Sequence, residues 1–248
     1  MCGRATLTTP GDELREQLGL DVVPTMVPRF NIAPSQPLPI IKTPGVLSFA
    51  AFGLSSFTNR PGRTVNLRAE SLPNLPAYRD AFARRRCLVV VDGFFEWRDV
   101  HAEPSQARLF GDDAKHSKRK AAKQEKQAFH IRRADRAPFT LAGVWTEKPG
   151  ADSANDVVEC AIVTGAAAGV VSELHDRMPA IVAAAARGVW LSAADGAPER
   201  DALRRLLSRD AIAAGAADLV AIPVGPRVNS PAFDDEEVLT PAADPRRL

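Results

Sequence analysis

The stretch CLVVVDGFFEW, residues 87–97, decides how the chain folds. Val89–Val91 are β-branched, Phe94, Phe95 and Trp97 are aromatic, and Asp92-Gly93 between them is turn chemistry, so the stretch reads as strand. VLSFAAFGL (46–54), FTLAGVWTE (139–147) and VVECAIVTG (157–165) share its length and composition and read the same way. Between the first two, PAYRDAFARRR (76–86) puts Tyr78 and Phe82 on one helical face, and APERDALRRLLSRDAIAA (197–214) sets Leu203, Leu206 and Leu207 at helical spacing, as in a peripheral packing helix. A short helix is predicted to open at Thr9 as cap, with Pro10 at its first position and acids Asp12 and Glu13 in its first turn, and to stop at Gly19. PTMVPRFNIAPSQPLPII (24–41) is too proline-rich to be helical and must be extended or looped.

With 248 residues, 45% apolar and 25% charged, the chain has the makings of one globular domain. No signal-peptide pattern or long apolar run appears, which predicts a soluble, cytoplasmic protein without membrane contact. A net charge of +2 carries no overall field for nucleic acid, so any such binding must come from a local patch. Cys2, Cys87 and Cys160 are odd in number and never in CxxC spacing, which argues against a disulfide framework and against a metal site. Residues 111–136 hold nine Lys or Arg against four acids and few large apolar residues, and read as a mobile loop; 111–128 is taken as a flexible basic insert and 235–248 as a loose tail. GDDAKHSK (111–118) does not fit a phosphate-binding loop, and no cofactor motif is present.

Four stretches combine ionisable and turn residues beyond the needs of a core: MCGR (1–4), VNLRAES (65–71), VDGFFEW (91–97) and LHDRMPAIV (174–182). Taken singly, each has a structural explanation in exposed charge or local ion pairing. As an ordered set, MCGR, NIAPSQ, NLRAES, RRRCLVVVDGFFEW, FTLAGVW and HDRMPAIV resembles the SOS response-associated peptidase (SRAP) family of abasic-site processing proteins, from Cys2 to about Asn229. That resemblance implies an α+β fold: one domain over 1–248 with a curved, largely antiparallel, barrel-like β-core, short peripheral helices and a groove for single-stranded DNA. It implies a monomer that captures abasic sites covalently. By motif, Cys2 falls on the nucleophile, and Asn66, Glu96 and His175 on the other catalytic positions. Arg4, Asn31, Arg68, Arg79 and Trp97 fall on DNA-binding positions. The sequence departs from the family where WGLxPxW reads FGLSSF, so Phe52 and Phe57 replace two tryptophan platforms, and where Leu67 and Phe95 stand in NLRAE and DGFFEW.

The residue types suit that chemistry. Once Met1 is trimmed, Cys2 carries an α-amine, whose ordinary pKa is about 7.7–8.0, beside a thiol. The amine forms a Schiff base with the open-chain aldehyde of an abasic deoxyribose, and the thiol closes a thiazolidine, a ring closure favoured because both groups belong to one residue. Removing the imine protects the strand from β-elimination. Glu96 is the expected acid/base for carbinolamine collapse and His175 for the sugar ring oxygen, while Asn66 holds the amine or a sugar hydroxyl. Arginines 4, 68 and 79 would clamp phosphates and Trp97 would stack a base. Peptidase activity is expected as self-cleavage of the first residue or as crosslink release. Two rivals remain: an N-terminal-nucleophile glutamine amidotransferase, which also begins Met-Cys-Gly but leaves HDRMP and DGFFEW unexplained, and a non-catalytic single-strand-binding module.

Overall fold

The computed structural model describes residues 2–55, 62–99, 126–149, 156–193 and 196–242. Strand β1 (Ala5–Leu7) leads into helix α1 (Gly11–Leu18), and the proline-rich segment supplies β2 (Arg29–Ile32) and β3 (Pro37–Thr43). Next come β4 (Val46–Phe52), the short β5 (Leu54–Ser55) and β6 (Arg63–Thr64), β7 (Asn66–Arg68) and helix α2 (Arg79–Arg84). CLVVVDGFFEW divides at Asp92 into β8 (Arg86–Val91) and β9 (Gly93–Asp99). Beyond it lie β10 (Lys126–Arg133), β11 (Phe139–Pro149), β12 (Asp156–Ala166) and β13 (Arg177–Pro179). Helices α3 (Arg187–Leu191), α4 (Ala197–Leu206) and α5 (Arg209–Gly215) precede β14 (Leu219–Val224).

The architecture is α+β, built on antiparallel sheets with short helices around them. β11, β8, β3, β4 and β12 are neighbours in that order, and β12 pairs again with β11, so these five strands close into a barrel. Closure removes the exposed edges that an open sheet must protect. Its pairings are antiparallel except β12 with β4. Inside, the thiols of Cys87 and Cys160 lie 3.4 Å apart beside Gly143, where a Cβ would come within 2.8 Å of the Cys87 sulfur. Glycine is required there by close approach. Every residue of β8 is buried, because helices cover its outer face: Trp190 of α3 donates its indole N–H to the Cys87 carbonyl at 2.8 Å, and Arg86 donates to the carbonyls of Phe82, Trp190 and Ser192. That double coverage explains a continuous apolar run in place of alternation.

The second sheet is antiparallel, in the order β14–β10–β9–β1–β2, with the N-terminal strand between two neighbours. Asp92, at the corner where the chain passes from barrel to sheet, is 7% exposed and accepts five hydrogen bonds, from the hydroxyls of Thr6, Thr8 and Thr9 and the N–H groups of Thr8 and Thr9. It is therefore the staple of the N-terminal strand. The expected Thr9 cap fails for this reason: its hydroxyl is spent on Asp92, and Pro10 holds the cap position, its carbonyl accepting from Leu14 N–H at 3.0 Å. The helix does stop at Gly19, whose φ of 66° is left-handed.

Two expectations about mobile chain meet ordered structure. β10 begins at Lys126, inside the presumed insert, because Ala128, Phe129 and Ile131 are buried between β9 and β14. Residues 111–125 lie outside the described residues. In the presumed tail, Glu236–Leu239 forms a 3₁₀ turn capped by Asp235 and buries Val238 against Phe95, Ala128, Val224 and Val228. Residues 243–248 lie outside the described ones.

Candidate active site

Cys2 precedes β1, and antiparallel pairing carries it along β9: Ala5 faces Phe94, and Phe95 N–H donates to the Arg4 carbonyl at 3.0 Å. The strand end is thus aimed toward Glu96 and Trp97. Cys2 and Glu96 are both buried, 0% and 1% exposed. Burial pushes the Cys2 thiol far above its ordinary range, and the Glu96 carboxylate pushes it further, against the positive amino terminus of the untrimmed chain. Burial also raises the Glu96 carboxyl, opposed by the amino terminus and by His175. The Cys2 thiol therefore senses Glu96, and Glu96 senses His175, which joins residues 2, 96 and 175 in one electrostatic neighbourhood.

His175 Nδ1 accepts the backbone N–H of Arg177 at 2.9 Å and lies 2.7 Å from Asp176 Oδ1. These contacts belong to different protonation states. A neutral ring with bare Nδ1 satisfies Arg177 and carries its proton on Nε2, whereas a charged ring offers Nδ1–H to Asp176.

β7 carries Asn66 and Arg68, two residues apart and so on one face. The side-chain oxygen and nitrogen of Asn66 are both buried without a hydrogen-bond partner among the described residues. Such a group costs roughly 1–3 kcal/mol unless something else satisfies it. Arg68 is exposed beside it. β7 and β13 both pair with β12, and Arg177 bridges them by gripping Glu70, with Nη1–Oε1 at 2.5 Å and Nη2–Oε2 at 2.9 Å. That grip holds Glu70 below the usual carboxylate range.

Asn31 is not placed to touch DNA. It is 0% exposed; its oxygen accepts from Arg4 Nη1 at 2.7 Å, and its amide nitrogen donates to the carbonyls of Phe233 at 2.8 Å and Ser230 at 3.1 Å. It holds Arg4, whose guanidinium also donates to the Val228 carbonyl at 2.7 Å. Trp97 is half-buried, tilted 46° to Phe95, and donates Nε1–H to Asn229 Oδ1 at 2.7 Å. Arg79 opens α2 and is exposed, with no hydrogen bond or ion pair among the described residues to Cys2, Glu96 or His175. Phe52 is fully buried and Leu67 is 4% exposed, so both are core residues. Phe52 therefore cannot serve as a stacking platform, and Phe57 lies outside the described residues. Asn229 carried no local sequence signal, because its partner Trp97 is 132 positions away.

Among the described residues no group of three or more His, Cys, Asp or Glu is arranged to hold a metal, and no helix is long and apolar enough to cross a membrane.

A crystal structure of a Bacteroides thetaiotaomicron protein superposes with a TM-score of 0.69 at 19% identity, covering 97% of this chain and 100% of that one. A phage-related protein of Bordetella bronchiseptica gives 0.65 at 23% identity over 90% of this chain and 94% of that one. These establish a shared fold. In sequence, the chain is 28% identical over 249 residues to the abasic site processing protein YoaM of Bacillus subtilis, covering 96% of this chain and 97% of YoaM. It is 24% identical over 238 residues to the abasic site processing protein HMCES of Xenopus tropicalis, covering 82% of this chain and 69% of that protein. The family model described as SOS response associated peptidase (SRAP) matches residues 1–231, which span β1 to the turn that holds Arg4 and Trp97, and the chain belongs to that family.

Proposed function

We propose that this chain captures abasic sites in single-stranded DNA as a monomer, through a thiazolidine between mature Cys2 and the sugar aldehyde. The observation that carries the reading is the burial of Glu96 and Cys2 at the end of the β1–β9 pairing, with Glu96 acting electrostatically on the Cys2 thiol and responding to His175. The names of the relatives support the substrate class.

The buried thiol is neutral, so the amine acts first. It adds to C1′, and Glu96, protonated more readily than an exposed glutamate, gives its proton to the carbinolamine hydroxyl. Water leaves and an iminium remains. The thiol then adds to the imine carbon, its proton passes to Glu96, and the adduct equals protein plus DNA less one water. His175 supplies a proton to the sugar ring oxygen as the furanose opens while the C1′ hydroxyl gives its own proton to water, and the transfers run backward on reversal. Asn66 offers its unpartnered amide to a sugar hydroxyl or the amine. Arg4 and Arg68 meet phosphates, and Trp97 takes a base on its exposed face. Peptidase activity is self-cleavage that removes the residue before Cys2, or release of the crosslink, in the cytoplasm where the nucleoid is reached directly.

Intact-mass analysis after mixing the Met-trimmed protein with an abasic single-stranded oligonucleotide tests this reading. The expected product is the sum of the two masses less one water, attached at residue 2. Attachment at a lysine, or no covalent product, overturns it.

A further inference from the structure

Arg4 directly precedes β1 and Trp97 stands on β9, and the 3₁₀ turn Pro226–Asn229 receives hydrogen bonds from both. Arg4 Nη1 donates to the Val228 carbonyl at 2.7 Å and Nη2 to the Asn229 carbonyl at 3.4 Å, while Trp97 Nε1 donates to the Asn229 side-chain oxygen at 2.7 Å. The turn is fixed from beneath. Val228 is fully buried in the cluster of Phe95, Ala128, Val224 and Val238, and the Asn31 amide ties the Ser230 and Phe233 carbonyls to the same guanidinium that it holds.

We infer that Asn229 is a positioning residue for DNA, one that sets the plane of the Trp97 indole by accepting its N–H. This rests on the proposed role of Trp97 as a base-stacking surface. An indole that is only half-buried rotates about two side-chain bonds. Phe95 restrains it on one side at a centroid distance of 6.4 Å, and Asn229 supplies its polar anchor. Holding the ring before a base arrives removes the ordering cost from the binding step, so the anchor acts on affinity and not on the covalent chemistry. Because Asn229 is also the last residue of the turn that holds Arg4, one residue fixes the spacing between a stacking surface and a phosphate contact.

The test is a double-mutant cycle on noncovalent binding, using a single-stranded oligonucleotide with a tetrahydrofuran abasic analogue, which has no aldehyde. Asn229→Ala and the size-matched Asn229→Leu are each expected to weaken binding about threefold to tenfold. Melting temperature should be retained, and so should the single-turnover crosslinking rate at saturating abasic DNA. In a Trp97→Phe background, whose ring has no N–H to give, the same changes should cost less than about twofold. An equal loss in both backgrounds overturns the inference, since Asn229 would then act without Trp97. No loss from Asn229→Ala, with Trp97→Phe still impaired, overturns the inference alone. Trp97→Phe binding like the wild type overturns it together with the assigned role of Trp97.

Discussion

Arg177 grips Glu70 through two nearly parallel hydrogen bonds of 2.5 and 2.9 Å, and so locks the strand that carries Asn66 to the strand that follows His175. Glu70→Ala is expected to cost at most about 1 kcal/mol, because Glu70 is 58% exposed and solvent screens the pair. Arg177→Met should cost more, about 1–3 kcal/mol, since Arg177 is 13% exposed and also donates to the Thr164 carbonyl at 2.5 Å. Both should slow crosslinking severalfold as Asn66 and His175 lose their spacing. Urea unfolding alongside capture rates checks this, and wild-type rates in both variants would make the tie irrelevant to chemistry. The Glu70 contribution is present above the ordinary glutamate pKa and fades as pH falls through the lowered folded value.

Glu96→Gln should slow crosslinking by about 10²-fold or more, the scale of general acid–base catalysis, while binding of the tetrahydrofuran oligonucleotide stays within about twofold. Burial raises the Glu96 carboxyl, so the limb of the wild-type pH–rate profile that reports its ionisation should fall above the usual glutamate range and vanish in the variant. A profile unchanged by the substitution returns Glu96 to a purely structural role.

Cys2→Ser retains the amine and is expected to give a labile adduct or strand cleavage, and Cys2→Ala only a transient imine trapped by borohydride. An N-terminal tag should abolish stable crosslinking and a C-terminal tag should not. Denaturing gels before and after heating distinguish these products; a heat-stable adduct from Cys2→Ala would sink the thiazolidine.

His130 makes the fold acid-sensitive. Burial lowers it to about 4, opposed by Asp92 and assisted by Arg132. The folded state prefers the neutral ring, so its contribution is complete above pH 6.5 and is lost as pH falls from there toward 4. The loss should be about 3 kcal/mol, and His130→Gln should flatten this part of the stability profile. Denaturant unfolding at about pH 7 and about pH 4 measures the difference.

Phosphate clamping by Arg4 and Arg68 predicts that raising salt slows capture and that single strands react faster than continuous duplex. Capture rates at two salt concentrations on matched single-stranded and duplex abasic oligonucleotides read both effects.

Much of the β-structure was legible because strands such as β11 and β12 are apolar and β-branched along their length. Asp92 looked like one more polar residue at a strand end; its role as a staple depends on three threonines more than 80 positions away. β10 was hidden by its basic ends, Lys126, Arg132 and Arg133, which flank a buried centre. Asn31 had the polarity of a ligand contact, but residues 228–234 bury it, and nothing near position 31 announces them. The site followed the same division. Cys2, Glu96 and His175 lie in motifs that single them out as candidates, whereas Asn229 is linked to them only through Trp97, 132 positions away.

β1 lies between β9 and β2, so the residues made first on the ribosome cannot be sealed until about a hundred more have emerged. During that interval β1 can pair only with β2, and the edge that β9 later covers is open. Once β9 arrives and Asp92 gathers the three threonines, Cys2 is enclosed. Exposure of the amino-terminal strand and completion of the fold are thus ordered in time by strand order, and a variant that hastened the docking of β1 would shorten that exposure.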